Sequence, residues 1–292
     1  MNLSKQEDPR ILAVQKNSWV NYTKANEIIT MLNEILTFPR THRMPNLLII
    51  GDTNNGKTVI GKRFESLNPV HFVESYNEIG KAYQKVVMSV LMIQCPPVPN
   101  EKRLYISILD KLQVPYKQSG RIEYFQSAAI GGMKRLDVKV LVLDEIHHIL
   151  TGSPAKQREF LNVLKFISNE LDLSIIAIGT RDAFYVINSD DQLANRFEKV
   201  ILSKWKNDAD YLRLLATLEQ KIDLKKPSNL IQPKLSLKIL EMSEGLIGEI
   251  VTIIRKATIL AIKSSEECIT IKTLNEIKWT EPSKRRSNSL LQ

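Results

Sequence analysis

Leu47-Leu48-Ile49-Ile50-Gly51-Asp52-Thr53-Asn54-Asn55-Gly56-Lys57-Thr58 is the stretch that decides the fold. Its four leading apolar residues predict a strand buried on both faces. The Gly-x-x-x-x-Gly-Lys-Thr that follows without a gap is a P-loop in the context the pattern needs: strand, Gly-rich turn, helix. In such a loop the backbone N–H groups converge on phosphate oxygens, and the helix N-terminus adds partial positive charge. Gly51 to Val59 is therefore the expected nucleotide-binding segment, for ATP with Mg2+. Lys57 is placed to reach the β- and γ-phosphates, and Thr58 to offer its hydroxyl to the metal.

A second motif supports the first. Val140-Leu141-Val142-Leu143-Asp144-Glu145 predicts another buried strand, ending in two carboxylates. Ligands of open α/β sheets sit at that C-terminal edge of the strands. Asp144 is the expected Mg2+ partner, through water, and Glu145 the residue that orients or deprotonates the attacking water. Alone, an Asp-Glu pair reads as an ordinary charge pair at a helix start. After a buried strand and downstream of a P-loop, it reads as half of a nucleotide hydrolase.

Composition fits that class and excludes others. The chain has 292 residues, 43% hydrophobic and 25% charged, as in an ordinary globular protein. No apolar stretch is of transmembrane length, and Met1 to Arg10 lacks a secretory apolar region, so a cytoplasmic protein without a membrane partner is expected. Cys95 and Cys268 suit two reduced, buried thiols rather than a disulfide or zinc framework. His147 and His148 have no second ligand cluster nearby in sequence and read as packing near the site rather than as metal ligands. The net charge of +9 permits a polyanionic partner without proving one.

Strand and helix patterns alternate along the middle of the chain, which predicts a parallel sheet with helices on both faces. The expected strands are Leu47–Ile50, Val86–Gln94, Lys139–Leu143, Leu173–Ile178 and Val200–Leu202. Helices are expected from Lys57 to about Glu65, near Leu104–Leu112, from Arg121 to about Arg135, and from Pro154 to about Leu171. After Trp205 only helical periodicity remains, over Ala209–Lys221, Lys234–Glu244, Gly248–Ser264 and Ile271–Lys278. Before the sheet, Ser18–Leu36 reads as a helix, stopped by Phe38-Pro39-Arg40. The expected organisation is an N-terminal helical arm at 1–45, an α/β core at 46–204, a helical domain at 205–280 and a basic disordered tail at 281–292.

Two further residues have expected roles. Thr180 ends the fourth strand, between the two nucleotide motifs, and is a candidate sensor of nucleotide state that can double as a helix cap. Arg196 lies just before the fifth strand, where an Arg can reach a neighbouring subunit's nucleotide as an arginine finger. The bland alternative pairs it with Asp190 or Asp191 of its own chain.

A helical lid after a five-stranded core, with this order of motifs, resembles the AAA+ ATPases. The expected fold is thus an α/β P-loop AAA+ core, a five-stranded parallel sheet flanked by helices, followed by a small all-helical lid. Three runs narrow the likeness: Arg43 through the P-loop to Thr58, Asp191-Gln192-Leu193-Ala194-Asn195-Arg196-Phe197, and Glu244-Gly245-Leu246-Ile247-Gly248-Glu249. They resemble the TniB/TnsC family of transposition ATPases. The resemblance implies ATP-dependent binding to double-stranded DNA without sequence specificity. It also implies self-assembly into rings or helical filaments of about six subunits per turn, and target-site selection. Recruitment of a DDE transposase, contact with a TniQ-type adaptor, and disassembly on hydrolysis complete the expectation. In the family, the insertion between the second and third strands faces DNA, which makes Lys102, Arg103, Lys117 and Arg121 the candidates for phosphate contact. Solvated surface charge is the plain alternative for each.

One position departs from the general AAA+ pattern. The lid turn Gly-x-x-Arg reads Gly245-Leu246-Ile247-Gly248 here, a feature shared with the transposition family. Competing readings remain a helicase or clamp-loader ATPase, which would answer to a replication protein, and a nucleotide-gated protein scaffold, which would show no salt-dependent DNA affinity.

Overall fold

The computed structural model describes residues 8–16 and 19–286. Its elements, in chain order, are α1 (Pro9–Gln15), α2 (Thr23–Thr37), β1 (Asn46–Gly51), α3 (Lys57–Leu67), β2 (His71–Tyr76), β3 (Ala82–Val87) and β4 (Val90–Gln94). There follow α4 (Glu101–Leu112), α5 (Ile122–Arg135), β5 (Val140–Asp144), a 3-10 helix (Ile146–Thr151), α6 (Pro154–Leu171) and β6 (Ser174–Gly179). The remainder is α7 (Ala183–Asn188), α8 (Asp191–Ala194), β7 (Phe197–Leu202), α9 (Ala209–Glu219), α10 (Pro233–Ser243), α11 (Ile247–Lys263), α12 (Ile271–Glu276) and α13 (Pro282–Arg286). No helix among the described residues is long and apolar enough to cross a membrane.

The chain forms two compact units. One comprises residues 27–53 and 57–202, and holds a five-stranded sheet in the order β4-β5-β6-β1-β7. Every pairing in it is parallel. The expected α/β sheet is therefore present. Alternate residues explain why its inner strands read as unbroken apolar runs. Leu48, Ile50, Leu91, Ile93, Leu141, Leu143, Ile175 and Ala177 join one core cluster with residues of α4, α5 and α6. The intervening Leu47, Ile49, Val142 and Ile178 are equally buried, and α3 packs there against β1, β4, β5 and β6. With both faces covered, no position on these strands tolerates a charge until the strand ends.

The second strand departs from expectation. Val86–Gln94 is not one strand: β3 ends at Val87, β4 begins at Val90, and β3 pairs antiparallel with β2 as a separate two-stranded hairpin. The hairpin gave no apolar run because most of its residues face solvent, with Phe72 66% and Ile79 85% exposed. Its turn is local chemistry: the Asn77 side chain accepts from the Ile79 and Lys81 N–H groups at 3.2 and 2.8 Å.

The other unit gathers, among the described residues, 8–16 and 19–26, the P-loop apex 54–56, and 203–286. Helices α9 to α12 surround a core of Tyr211, Leu214, Leu215, Ile239, Ile250, Ile253, Ile254 and Leu274. Val20 belongs to that core, and Tyr22 meets Trp205 edge-on at 5.3 Å between ring centroids. Helix α1, too short to show an apolar periodicity, packs on α11, and Arg10 bridges Asp8 and Glu267. The expected Ser18–Leu36 helix is α2, beginning at Thr23; Ser18 lies outside the described residues. The expected disordered tail is corrected at 282–286, where α13 forms because Arg285 finds partners: it pairs with Glu249 at 2.9 Å and stacks over Trp279 at 4.7 Å. Residues 287–292 lie outside the described part.

Candidate nucleotide site

The P-loop leaves β1 at Gly51 and turns into α3 at Lys57. Two residues take left-handed backbone to make the turn, Asn54 (φ 62°) and Gly56 (φ 83°). Asn tolerates that region better than most residues, and Gly does so freely. The opening N–H groups of α3 begin at this turn and have no carbonyl partner within their own helix, which suits that end to an anion. Lys57 is 7% exposed, and its ammonium donates to the Asp52 carbonyl across the loop at 2.8 Å. Burial pushes its pKa below the usual lysine value, while the Glu145, Asp144 and Asp52 carboxylates pull it back up. A buried cation bonded to a neutral carbonyl is incompletely matched, and a phosphate oxygen would answer it. The residues present thus fit an Mg2+–nucleotide: N–H donors and an ammonium for phosphate, the half-buried Thr58 hydroxyl and the Asp144 carboxylate for the metal.

Sheet order brings the remaining groups to the same edge. Between β1 and β5 lies β6, so Thr180, just past its end, stands between the P-loop and the Asp144-Glu145 pair. Asp144 is 6% exposed and its Oδ1 accepts from the Glu145 N–H at 2.9 Å. Glu145 takes a left-handed conformation (φ 58°, ψ 38°) that ends the strand and opens the 3-10 helix. Its Oε2 lies 3.2 Å from His147 Nε2, and His147 Nδ1 lies 3.4 Å from the Thr180 backbone nitrogen. His148 Nδ1 instead approaches the Cys95 carbonyl at 3.4 Å. Glu145, His147 and His148 offer ligand atoms within 4.8 Å of one another, a closeness sequence spacing concealed. Cys95 is buried, which pushes its thiol up to about 12, and Cys268 is only partly buried. Sequence reasoning also passed over Arg181, which follows Thr180 and reaches Asp52 at 3.2 Å. At 79% exposure such a pair contributes little to stability.

Arg196 sits at the opposite end of the sheet. It precedes Phe197, which pairs with Asn46 at the start of β1, so the length of β1 separates it from its own P-loop by roughly 17 Å. Its guanidinium donates to Asn169 Oδ1 at 2.9 Å, while Asp190 pairs with Lys165 at 2.7 Å.

The four candidate DNA-contact cations lie on and beside the paired helices α4 and α5, and they are not equivalent. Arg103, Lys117 and Arg121 are exposed. Lys102 is half-buried: its ammonium donates to the Gln118 and Gly120 carbonyls at 3.2 and 3.3 Å and lies 4.7 Å from the Phe125 ring centroid. It ties the start of α4 to the loop that carries Lys117 and runs to Arg121.

In the helical unit the departure at Gly248 has a steric cause. Its N–H donates to the Asn54 carbonyl at 3.0 Å, and a Cβ there would collide with the Asn54 amide. The next residue, Glu249, is 7% exposed and accepts from Asn54 Nδ2 at 2.9 Å and from both terminal nitrogens of Arg285.

A parallel five-stranded sheet with this loop after β1, these carboxylates after β5 and helices beyond β7 defines the class: a P-loop AAA+ fold. Solved structures agree on it. The Aeropyrum pernix Orc1 protein, in complex with DNA, superposes with a TM-score of 0.62 at 16% identity, over 91% of this chain and 67% of that one. Cdc6p from Pyrobaculum aerophilum gives 0.61 at 16% identity, over 88% and 67%. The Aeropyrum pernix Orc2 protein in its ADP form gives 0.61 at 14%, over 92% and 72%. The particular family follows from sequence: the bacterial TniB protein family matches residues 10–207, and this chain belongs to it. No curated protein matches the chain.

Proposed function

We propose that the chain is an Mg2+-dependent ATPase that assembles on double-stranded DNA, without sequence specificity, to regulate transposition. The convergence of a buried Lys57 with Asp144 and Glu145 on one sheet edge, in a member of the TniB family, carries the reading. The P-loop N–H groups and Lys57 bind and orient the phosphates. Thr58, and Asp144 through water, would hold the metal, which would neutralise charge at the phosphoryl oxygens. Glu145 orients a water and takes its proton, and Thr180 reports the terminal phosphate. Arg196, remote from its own loop, acts on a neighbouring subunit's nucleotide, which makes turnover depend on assembly. Arg103, Lys117 and Arg121 track DNA phosphates. Binding of a similarly folded protein to DNA supports the DNA reading. Rings or filaments of about six subunits per turn select the target, recruit and activate a DDE transposase, meet a TniQ-type adaptor, and come apart on hydrolysis.

The test is phosphate release by wild type and by Glu145→Gln, with and without duplex DNA. Wild type should hydrolyse ATP only with Mg2+, and Glu145→Gln should bind ATP normally while turning over about 100-fold more slowly or worse. Equal turnover by the two would remove Glu145 from its role.

A further inference from the structure

We propose that His147 is the positioning residue for Glu145 and couples it to the loop that carries Thr180. The inference rests on the ATPase reading above.

The geometry starts from the backbone. Glu145 stands in the left-handed region, which is strained for a non-glycine residue and persists only where surrounding structure enforces it. That turn starts the 3-10 helix, and its tight winding returns His147 to the side of Glu145. The two ring nitrogens then have different partners. Nδ1 faces a backbone N–H, that of Thr180, which can only donate. Nδ1 must therefore present its lone pair, and the proton of the neutral imidazole sits on Nε2. It faces Glu145 Oε2, 3.2 Å away, and leaves Oε1 to take a proton from water. No charge on the ring is needed, and the tautomer is set by the Thr180 N–H. The arrangement is that of a base whose orientation is fixed by a third group.

Its consequence is a path of polar contacts. Thr180 lies between the P-loop and Glu145 in the sheet, and its N–H is bonded to His147. A shift of the Thr180 loop removes the N–H donor that holds the ring, and with it the contact that aims the carboxylate. His148 has no such connection: its Nδ1 is turned to the Cys95 carbonyl. The two adjacent histidines thus divide into one that serves the site and one that ties β4 to the 3-10 helix.

The experiment compares wild type, His147→Leu, which keeps bulk without donor or acceptor, and His147→Gln, whose amide keeps one of each. The readouts are kcat, KM and equilibrium ATP affinity in the presence of duplex DNA. The expected result is a loss of about tenfold or more in kcat for His147→Leu, the size seen when outer-shell partners are removed. KM and ATP affinity should stay within about twofold, and Gln should recover much of the loss. In a Glu145→Gln background, His147→Leu should add nothing further, because the group it positions is already gone. A kcat for His147→Leu equal to or above wild type overturns the proposal. So does a loss shared by ATP affinity, or one that Gln does not repair. Should His147→Leu fail to fold, His147→Asn serves, since its shorter amide cannot span both partners, and it must fall below Gln. Absence of hydrolysis by wild type with Mg2+, ATP and DNA would instead overturn the ATPase reading.

Discussion

The phosphate corner and the α4–α5 surface are both polar, yet they are made in opposite ways. In the corner, polar groups are buried: Lys57 and Asp144 are 7% and 6% exposed, each fixed by a backbone partner. On α4–α5, Arg103, Lys117 and Arg121 are exposed. Of the four candidate cations, Lys102 is the one held by carbonyls. A buried group acts through geometry, so losing one disables the arrangement. An exposed cation acts through charge, so its loss subtracts a share that salt can mimic.

That difference can be broken at either end. The largest effect is expected at Lys57→Ala, which should abolish measurable ATP binding at micromolar nucleotide and, with it, assembly on DNA. Calorimetry reads the first and electron microscopy the second. ATP-dependent assembly by that variant would separate the two functions. Intermediate effects are expected on the surface: each of Arg103→Ala, Lys117→Ala and Arg121→Ala should weaken DNA binding regardless of sequence, and reduce the log–log salt slope by about 0.9. Unchanged slopes would return these residues to the class of solvated charge. The smallest effect sharpens the rule elsewhere. Glu267 is buried beside Arg10, and the Arg10 hydrogen bond holds its carboxyl at about 2. Because the folded value lies below the ordinary 4.5, the stability it contributes is present above that pH and lost as pH falls through about 2. Glu267→Gln should therefore flatten the acid limb of the denaturation profile between those values, read by circular dichroism.

The same contrast governs what the sequence could tell. The sheet was legible because strands buried on both faces must be apolar throughout, as Leu47–Ile50 and Val140–Leu143 are. The P-loop was legible because its backbone turn demands residues at fixed spacing. Helix α6, expected from Pro154 to about Leu171, was legible because a proline opens it and apolar periodicity runs to its end. The β2–β3 hairpin was missed because it faces solvent, where no periodicity is imposed. Helix α13 was missed because it depends on Glu249, 36 residues away from Arg285. His147 was passed over for a related reason. Its meaning lies in the Thr180 N–H, 33 residues distant, and no local pattern announces that bond.

The central claim is that nucleotide in the phosphate corner commands binding on the charged surface. The most direct measurement is fluorescence anisotropy of a labelled duplex titrated with the full chain, in four conditions: ATP, a slowly hydrolysed analogue, ADP and no nucleotide. The account predicts tight, sequence-indifferent binding with ATP and the analogue, and weak binding with ADP or none. Equal affinity in all four conditions, or no affinity in any, would contradict it.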